Sequence, residues 1–575
     1  MGGGTAGRPA RARARAVSAR RLRARGGGGA GGRARGGGLM AGPRRRSLTP
    51  KTPPPAPVPV EAPRPVAVID MGASAIRLLV AEAPPGQPVR ILEEASRGVL
   101  LGKDTFMNGR LGAATVEATL KALEGFRRIM DGYGVVRYRA VATSAVREAQ
   151  NSDAFLDRVR LRTGIDVEVI DGSEENRLTY MAVRQRLRDH PALTTGDTLL
   201  LEVGGGSADI SFLRKGQPIH SGTYPLGAIR MRQSLASWHG SQEQGMRLLR
   251  RHIHNVVDDI RREIPLREAQ HVIALGGDVR FAAQQIVGDR TDGAPAVLGR
   301  EPFAAFCDQV TSWDVEQLVE QFHLPQAEAE TLVPALVAYR ELLQETAATE
   351  MIVPDVSLRA GLLLDVAEVE SAEGIADFRG QVLGSAAALA EKYRWDAAHS
   401  KKVAQLATRL FDDLKAEHGL GDRERLLLEV AALLHDIGNY VNLRGHHKHT
   451  WYLLSVSDIF GLSGDDMALV ANVARYHRRA LPQKSHLPYM ALDRDARVVV
   501  NKLSAILRLA NALDADHLQK VKDVRVLSEE GNWVLEVEGA GDLTMERLAS
   551  LARGDFLTEV FGRKLLFREA RARAS

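Results

Sequence analysis

The sequence predicts a duplicated α/β domain, then an all-α domain and a small α+β unit, and three observations carry that prediction. First, TLLLEVGGGSADISFL (198–213) runs from an apolar strand through an acid, three glycines, a serine and a second acid into another apolar strand. Second, VAVIDMGASAIRLLVAE (66–82), roughly 130 residues earlier, has the same design: a strand delivers Asp70 into a turn of small residues before a second strand leaves. Two such turns point to an internal repeat with a cleft between its halves. Third, from about residue 370 the alternation of strands and helices gives way to helical apolar spacing alone.

Taken in order, the ordered chain begins after the proline-rich lead-in PPPAPVPVEAPRP (53–65) with the strand at 66. Residues 115–132 read as an amphipathic helix and 138–143 as a strand. NSDAFLDRVRLRTG (151–164) reads as a helix capped by Asn151 or Ser152 and stopped at Gly164. IDVEVI (165–170) is a strand, and 171–187 a turn entering a helix. The second half opens at 198 and contains a strand, glycine turn and helix over 272–286. Helices follow over 381–392, 397–417, 423–436, 449–460, 465–478 and 495–513. The end reads as a hairpin over 521–539 turning at Glu530 and Gly531, a helix near 545–553 and a strand near 564–567. The expected boundaries are 1–65, a disordered basic and proline-rich tail; 66–190 and 191–368, the two α/β halves; 369–518, all-α; and 519–575, α+β.

At 575 residues the chain is too long for one core and should divide into roughly three or four domains. No apolar run approaches the roughly 18–20 residues of a membrane span. Cys307 is the only cysteine, which excludes an internal disulfide and cysteine-based zinc sites and fits a reducing cytoplasm. The net charge is +6, but residues 1–60 hold thirteen Arg, one Lys and no acid, so the rest of the chain carries −8. The folded body is acidic, and a polyanion must find a local basic lane. The leader fits a nucleic-acid or polyphosphate tether, a transit-like segment, or sequence upstream of a start at Met40.

Three glycines strip side chains from the second turn, so the Gly204, Gly205 and Gly206 amides can face an anion while Glu202 and Asp209 reach a cation beside it. IDMGAS, ATSAVREA (142–149), DGSEENRL, EVGGGSADI and VSLRAG (356–361), in this order, resemble the exopolyphosphatase and guanosine pentaphosphate phosphohydrolase family, members of the actin-like and sugar-kinase ATPase superfamily. The resemblance implies a fold of two ribonuclease H-like halves, a homodimer, and Mg²⁺-dependent hydrolysis of polyphosphate or guanosine pentaphosphate. It implies Glu175 as the base on the attacking water and Arg147 as a phosphate contact. Asp70, Glu202 and Asp209 become candidate Mg²⁺ ligands, and Gly72, Ser74, the three glycines and Ser207 a phosphate cradle. Three departures stand out. Glu202 and Asp209 exchange the usual order of aspartate and glutamate. Ala73 and Ala75 remove two hydroxyls, and Asp278 brings a negative charge into the Gly277–Val279 turn.

The all-α segment resembles an HD-type phosphohydrolase domain. His399, the pair His435 and Asp436, and Asp514 fit its H…HD…D ligand pattern, which implies Mn²⁺ or another divalent transition metal. His447, His449 and His477 match positions suited to phosphate contact or a second metal, and Arg478, Arg479 and Lys484 add positive charge. The leading expectation is a cytoplasmic exopolyphosphatase, with nucleic acid reached only through the basic tail. Its alternatives are an alarmone- or polyphosphate-sensing regulator and a nucleotide phosphohydrolase working at the HD centre.

Overall fold

A computed structural model of the chain describes residues 65–82, 89–234, 241–288, 294–368 and 372–570. The basic, proline-rich leader lies outside these residues, apart from Pro65. The first sheet contains β1 (Val66–Met71), β2 (Ala75–Glu82), β3 (Arg90–Gly98), β4 (Arg137–Ala142) and β5 (Glu168–Val169), in the order β3-β2-β1-β4-β5. The second contains β6 (Asp197–Val203), β7 (Ala208–Arg214), β8 (Gln217–Tyr224), β9 (His271–Leu275), β10 (Ala296–Gly299) and β11 (Glu350–Val353). Its order, β8-β7-β6-β9-β11-β10, repeats the first sheet and adds one antiparallel edge strand. In both sheets the leading strand pairs antiparallel with the second and parallel with the fourth. The repeat foreseen from two turns is thus a repeat of whole sheets, and the arrangement is the actin-like α/β fold.

The central strands carry almost unbroken apolar runs because both faces are covered. All six residues of β1 are buried, Asp70 among them. The edge strand β3, RILEEASRG, is largely exposed and rich in charge, which guards a sheet edge against pairing with other chains. The helix Ala113–Gly132 buries Val116, Leu120, Leu123, Phe126 and Met130 at spacings of three and four. The helix Ser152–Thr163 stops at Gly164, whose φ of 65° suits glycine. Asn151 holds the cap position without capping. Its side chain instead bonds the N–H and C=O of Leu111, at 2.9 and 3.1 Å, and ties down a distant loop. The strand expected over 165–170 joins the ladder only at Glu168 and Val169.

Beyond residue 372 the helices Ala397–Asp413, Asp422–Leu434, His446–Ser455, Gly464–Arg475 and Arg494–Ala512 pack around one core. β12 (Val521–Glu529) and β13 (Asn532–Gly539) form the expected hairpin, with Glu530 and Gly531 at φ 48° and 78° as a type I′ turn requires. The next helix, Thr544–Phe561, is longer than foreseen, and β14 (Leu565–Glu569) closes the sheet. Trp533, Leu535, Phe556 and Leu557 belong to the same apolar cluster as Leu406, Leu434 and Leu507. Among the described residues no helix is long and apolar enough to cross a membrane.

The segment joining the third and fourth of these helices docks on the α/β part. Ser173 Oγ donates to the Ile459 carbonyl at 3.2 Å, and the Gly464 N–H donates to Asp171 Oδ2 at 2.7 Å. Phe460, fully buried, meets Tyr180 edge to face at 5.4 Å, and Arg177 lies over the Phe378 ring. All these α/β contacts fall on the helix Gly172–Arg186 or its cap. Phe460→Ala should therefore lower stability by about 3–5 kcal/mol, the usual cost of deleting a buried phenylalanine. Urea unfolding would show it; a loss under 1 kcal/mol would mean that this interface is not packed as described.

Candidate functional site

Both acid-bearing turns are built alike. The Gly72 N–H donates to the Ala75 carbonyl at 3.1 Å, and the Gly204 N–H to the Ser207 carbonyl at 2.8 Å. These two amides, expected in the phosphate cradle, instead close their own turns. The amides of Ala73, Ser74, Gly205 and Gly206 have no backbone partner among the described residues and remain for a ligand. A Cβ on Gly205 would stand 2.9 Å from Ala73 Cβ and from Ile229, so the turns of the two halves abut and only glycine fits there. Ala73 is consequently a buried packing residue, whereas Ser74 is exposed with its hydroxyl free for the cleft. The turn's other side is fixed: Ala228 and Ile229 N–H donate to the Gly204 and Gly205 carbonyls, and Arg230 Nε donates to that of Gly206.

The same spacing gives the two halves opposite charge. Asp70 lies across the ladder from Arg77, 3.7 Å away, while Glu202, its counterpart, lies across from Asp209. Burial, then the charge of Asp209, pushes Glu202 up to about 7. Burial pushes Asp209 up to about 6 against a 2.6 Å hydrogen bond from Thr223 and the charge of Arg147. Asp70 is raised by burial, with Arg77 and Arg359 opposing. Glu175 is raised by burial and by Asp209, despite its 2.7 Å ion pair with Arg147. Four carboxyls with raised affinity for protons mark a place short of positive charge. Among the described residues Asp70, Glu202 and Asp209 do not converge as a three-ligand cluster.

The helix Gly172–Arg186 sets Glu175 apart from its neighbour. Asp171 caps the helix by accepting from the Glu174 N–H at 3.0 Å. Glu174 pairs with Arg139 and Arg177, which also bind Asp365, so it serves a structural network. Glu175 turns instead to Arg147, which also donates to the Ile170 carbonyl. Asp278 is pushed up to about 7, first by burial and then by Glu328, with Arg280 opposing, so much of its charge is lost at neutral pH.

The helical part holds a second cluster. His435, His446 and His477 each place Nδ1 on a backbone carbonyl three residues back, at 2.7, 3.0 and 2.6 Å. With Nδ1 so placed, each Nε2 is left as a potential ligand atom. His446 and His477 Nε2 lie 3.4 and 3.3 Å from Asp436 Oδ1, and His435 Nε2 lies 3.8 Å from Asp436 Oδ2. His399 and His435 Nε2 are buried without a partner. Two sets of ligand atoms converge: His399, Asp436 and His517, and Asp436, His446 and His477. Asp514, expected as a ligand, accepts from His399 Nδ1 at 2.8 Å and orients that ring. His447 and His449 are half-buried and outside both sets. His446 and His517 went unrecognised in the sequence; the buried helical face His446, Thr450, Leu454 was the available signal for the first.

Residues 79–370 match the model of the Ppx/GppA phosphatase family, and residues 383–551 that of its domain III. The chain is 29% identical over 334 residues to exopolyphosphatase 1 of Mycobacterium leprae, covering 55% of this chain and 94% of that protein. It is 32% identical over 164 residues to exopolyphosphatase 1 of Mycobacterium bovis, covering 28% of this chain and 46% of that one. A solved exopolyphosphatase from Cytophaga hutchinsonii superposes with a TM-score of 0.49 at 22% identity, over 53% of this chain and 99% of that one.

The raised carboxyls give stability a pH dependence of definite sign. A carboxyl whose folded pKa exceeds its unfolded value favours the fold below the unfolded value, and that contribution is lost as pH rises through the folded one. With Glu202 at about 7 and Asp209 at about 6, the melting temperature in EDTA should fall between about pH 5 and 8. Mg²⁺ should restore it at pH 8 and act little at pH 5. An equal Mg²⁺ effect at both values, or one that survives Glu202→Gln with Asp209→Asn, would remove these acids from the cation site.

Proposed function

This chain belongs to the Ppx/GppA phosphatase family, and we propose that its α/β cleft releases terminal phosphate from inorganic polyphosphate. The observation that carries the reading is Glu175, ion-paired with Arg147 and set against Asp209 beside the abutting glycine turns. Phosphoanhydride hydrolysis needs positioning and charge neutralisation more than covalent chemistry. In this reading Glu175 accepts the proton of the attacking water, and Arg147 opposes the burial that raises Glu175 and offers its remaining donors to the phosphoryl oxygens. The free amides of the two turns orient the phosphate chain. Mg²⁺, where held by one or two of Glu202, Asp209 and Asp70 together with water, would supply charge neutralisation. The departure at Asp278 weighs less than its formal charge implies, since burial pushes it up to about 7. Guanosine pentaphosphate ends in the same terminal group and is the second substrate of this reading. A homodimer in the cytoplasm also belongs to it.

Glu175→Gln should fold normally and release phosphate from polyphosphate roughly 10²-fold more slowly, since an amide cannot take the proton. Near-parental turnover by the purified variant would sink the assignment.

A second reading concerns the helical cluster, and the orphaned Nε2 atoms of His399 and His435 favour it. We propose an HD-type centre in which His399, His435, Asp436, His446, His477 and His517 hold Mn²⁺ or another divalent transition metal, with Asp514 orienting His399. Imidazole with carboxylate selects such ions over Ca²⁺. Metal analysis of the purified full chain should find bound transition metal that Asp436→Asn largely loses. Equal metal content in the two proteins would leave the histidines a structural role.

A further inference from the structure

Five carbonyls of the two acid-bearing turns are held from behind. The Gly102 N–H donates to Ala73 at 2.8 Å, those of Val99 and Leu100 to Ser74 at 3.2 and 3.1 Å, that of Ala228 to Gly204 at 2.8 Å, and that of Ile229 to Gly205 at 2.9 Å. These four carbonyls are held by backbone, whatever the side chains. The fifth, that of Gly206, is held by Nε of Arg230 at 2.8 Å. In a planar trans peptide the carbonyl of one residue and the N–H of the next point in opposite directions. Fixing the Gly206 carbonyl therefore aims the Ser207 N–H, which has no backbone acceptor among the described residues.

The same guanidinium reaches into the other half of the fold. Nη2 of Arg230 donates to both carboxylate oxygens of Glu148, at 2.6 and 2.8 Å, and its Cζ lies over the Phe106 ring, 4.5 Å from the centroid. Glu148 directly follows Arg147 and closes the helix Ser144–Arg147, and Arg147 in turn holds Glu175. Phe106 also backs the glycine turn, since a Cβ on Gly206 would stand 2.4 Å from its Cζ. Gln233 Nε2 donates to the Lys103 carbonyl at 3.0 Å, so the helices Ala228–Ser234 and Leu101–Asn108 are joined beside this contact. An ion pair between Arg230 and Glu148, 31% and 42% exposed, adds little to stability. Stability alone does not account for an arginine that divides its donors between that carboxylate and a glycine carbonyl of the opposite half.

We propose that Arg230 is a positioning residue for phosphate release: it locks the Gly206–Ser207 peptide of the second half to the segment of the first half that carries Arg147. The proposal rests on the α/β cleft as the place of hydrolysis. With Arg230 in place, the Ser207 amide joins those of Gly205 and Gly206 in facing the terminal phosphate, in fixed register with Arg147 and Glu175. Without it the first two amides keep their backbone supports and the third turns freely. Phosphate still enters, but it meets the water and its base at the wrong angle, so kcat carries the loss and KM changes less. Lysine is no substitute, because a single ammonium lacks the planar edge that serves a carbonyl and a carboxylate together.

The test measures phosphate release from polyphosphate with Mg²⁺ for the full-length parent, Arg230→Lys, Arg230→Met, Glu148→Gln and the double variant Arg230→Met with Glu148→Gln, each well below its melting temperature. Arg230→Lys should lower kcat by roughly tenfold or more, the scale of a misplaced reacting group, and change KM less. Glu148→Gln should lower kcat less than Arg230→Met, and the double variant should be no slower than Arg230→Met alone, because the two groups act as one unit. Hydrogen exchange resolved to single amides, with inorganic tripolyphosphate bound, supplies a readout that needs no turnover: Arg230→Met should expose the Ser207 amide and leave those of Gly205 and Gly206 protected. The proposal is overturned if Arg230→Lys turns over at the parent rate, if the loss falls on KM alone, or if kcat recovers on cooling, which would make Arg230 a structural residue. It is also overturned if Ser207 exchanges alike in the parent and in Arg230→Met. A parent that releases no phosphate defeats the cleft reading instead, and the Ser207 exchange then decides by itself whether Arg230 aims that amide.

Discussion

The cleft depends on unbalanced negative charge at the seam of a duplicated fold. Two strands, β1 and β6, each deliver an acid, buried Asp70 and half-buried Glu202, to a turn of small residues, and the two turns touch through Ala73 and Gly205. In the first half the facing residue is Arg77, and the charge is partly cancelled on the spot. In the second half the facing residue is Asp209, and Glu175 adds a third carboxyl. One geometry used twice therefore gives one acid that faces a guanidinium and one that faces a second acid. The duplication supplies the scaffold, and a difference at one ladder position gives the two halves opposite electrostatics.

Around that seam, adjacent residues divide their tasks sharply. Glu174 and Glu175 lie side by side in sequence, yet the first is held by Arg139 and Arg177 in a network with Asp365, while the second faces Arg147. The glycine turn shows the same division: its carbonyls are fixed by the 228–230 segment and its first amide by its own turn, which leaves the next two amides for a ligand. In the helical part the Nδ1 atoms are occupied by carbonyls and the Nε2 atoms gather at Asp436. Each arrangement fixes one face of a group so that the other is available, which is how a site is held ready before its ligand arrives.

Much of this was legible in the sequence for physical reasons. Buried parallel strands leave apolar runs, the repeated acid-and-turn pattern announces the duplication, and Glu530 with Gly531 specifies a hairpin turn. Features decided by partners far along the chain were not legible. β3 is an exposed edge strand whose charged residues show no alternation, and Asn151, a plausible cap, is drawn away by Leu111. Among the three histidines of HHKH, helical phase buries His446, and only the spacing to Thr450 and Leu454 reveals it. His517 reaches the cluster from a backbone position with φ 60°, outside any periodic pattern, and it stacks on His399 at 3.6 Å. Asp514 has the residue type expected of a ligand, and in the structure one of its oxygens meets the His399 ring at Nδ1, a contact that sequence spacing does not reveal.

Asp171 joins these two parts of the molecule through its two oxygens. Oδ1 closes the first turn of the helix bearing Glu175, and Oδ2 takes the N–H of Gly464, at the start of a helix that ends two residues before His477. A carboxylate shared in this way is a thermodynamic hinge. Whatever free energy the Gly464 segment contributes to ordering the first turn of the Glu175 helix, that turn returns to the Gly464 segment in equal measure. Crosstalk between cleft and histidine cluster, if routed through Asp171, would run with the same strength in both directions, so tighter binding at one end would appear as tighter binding at the other.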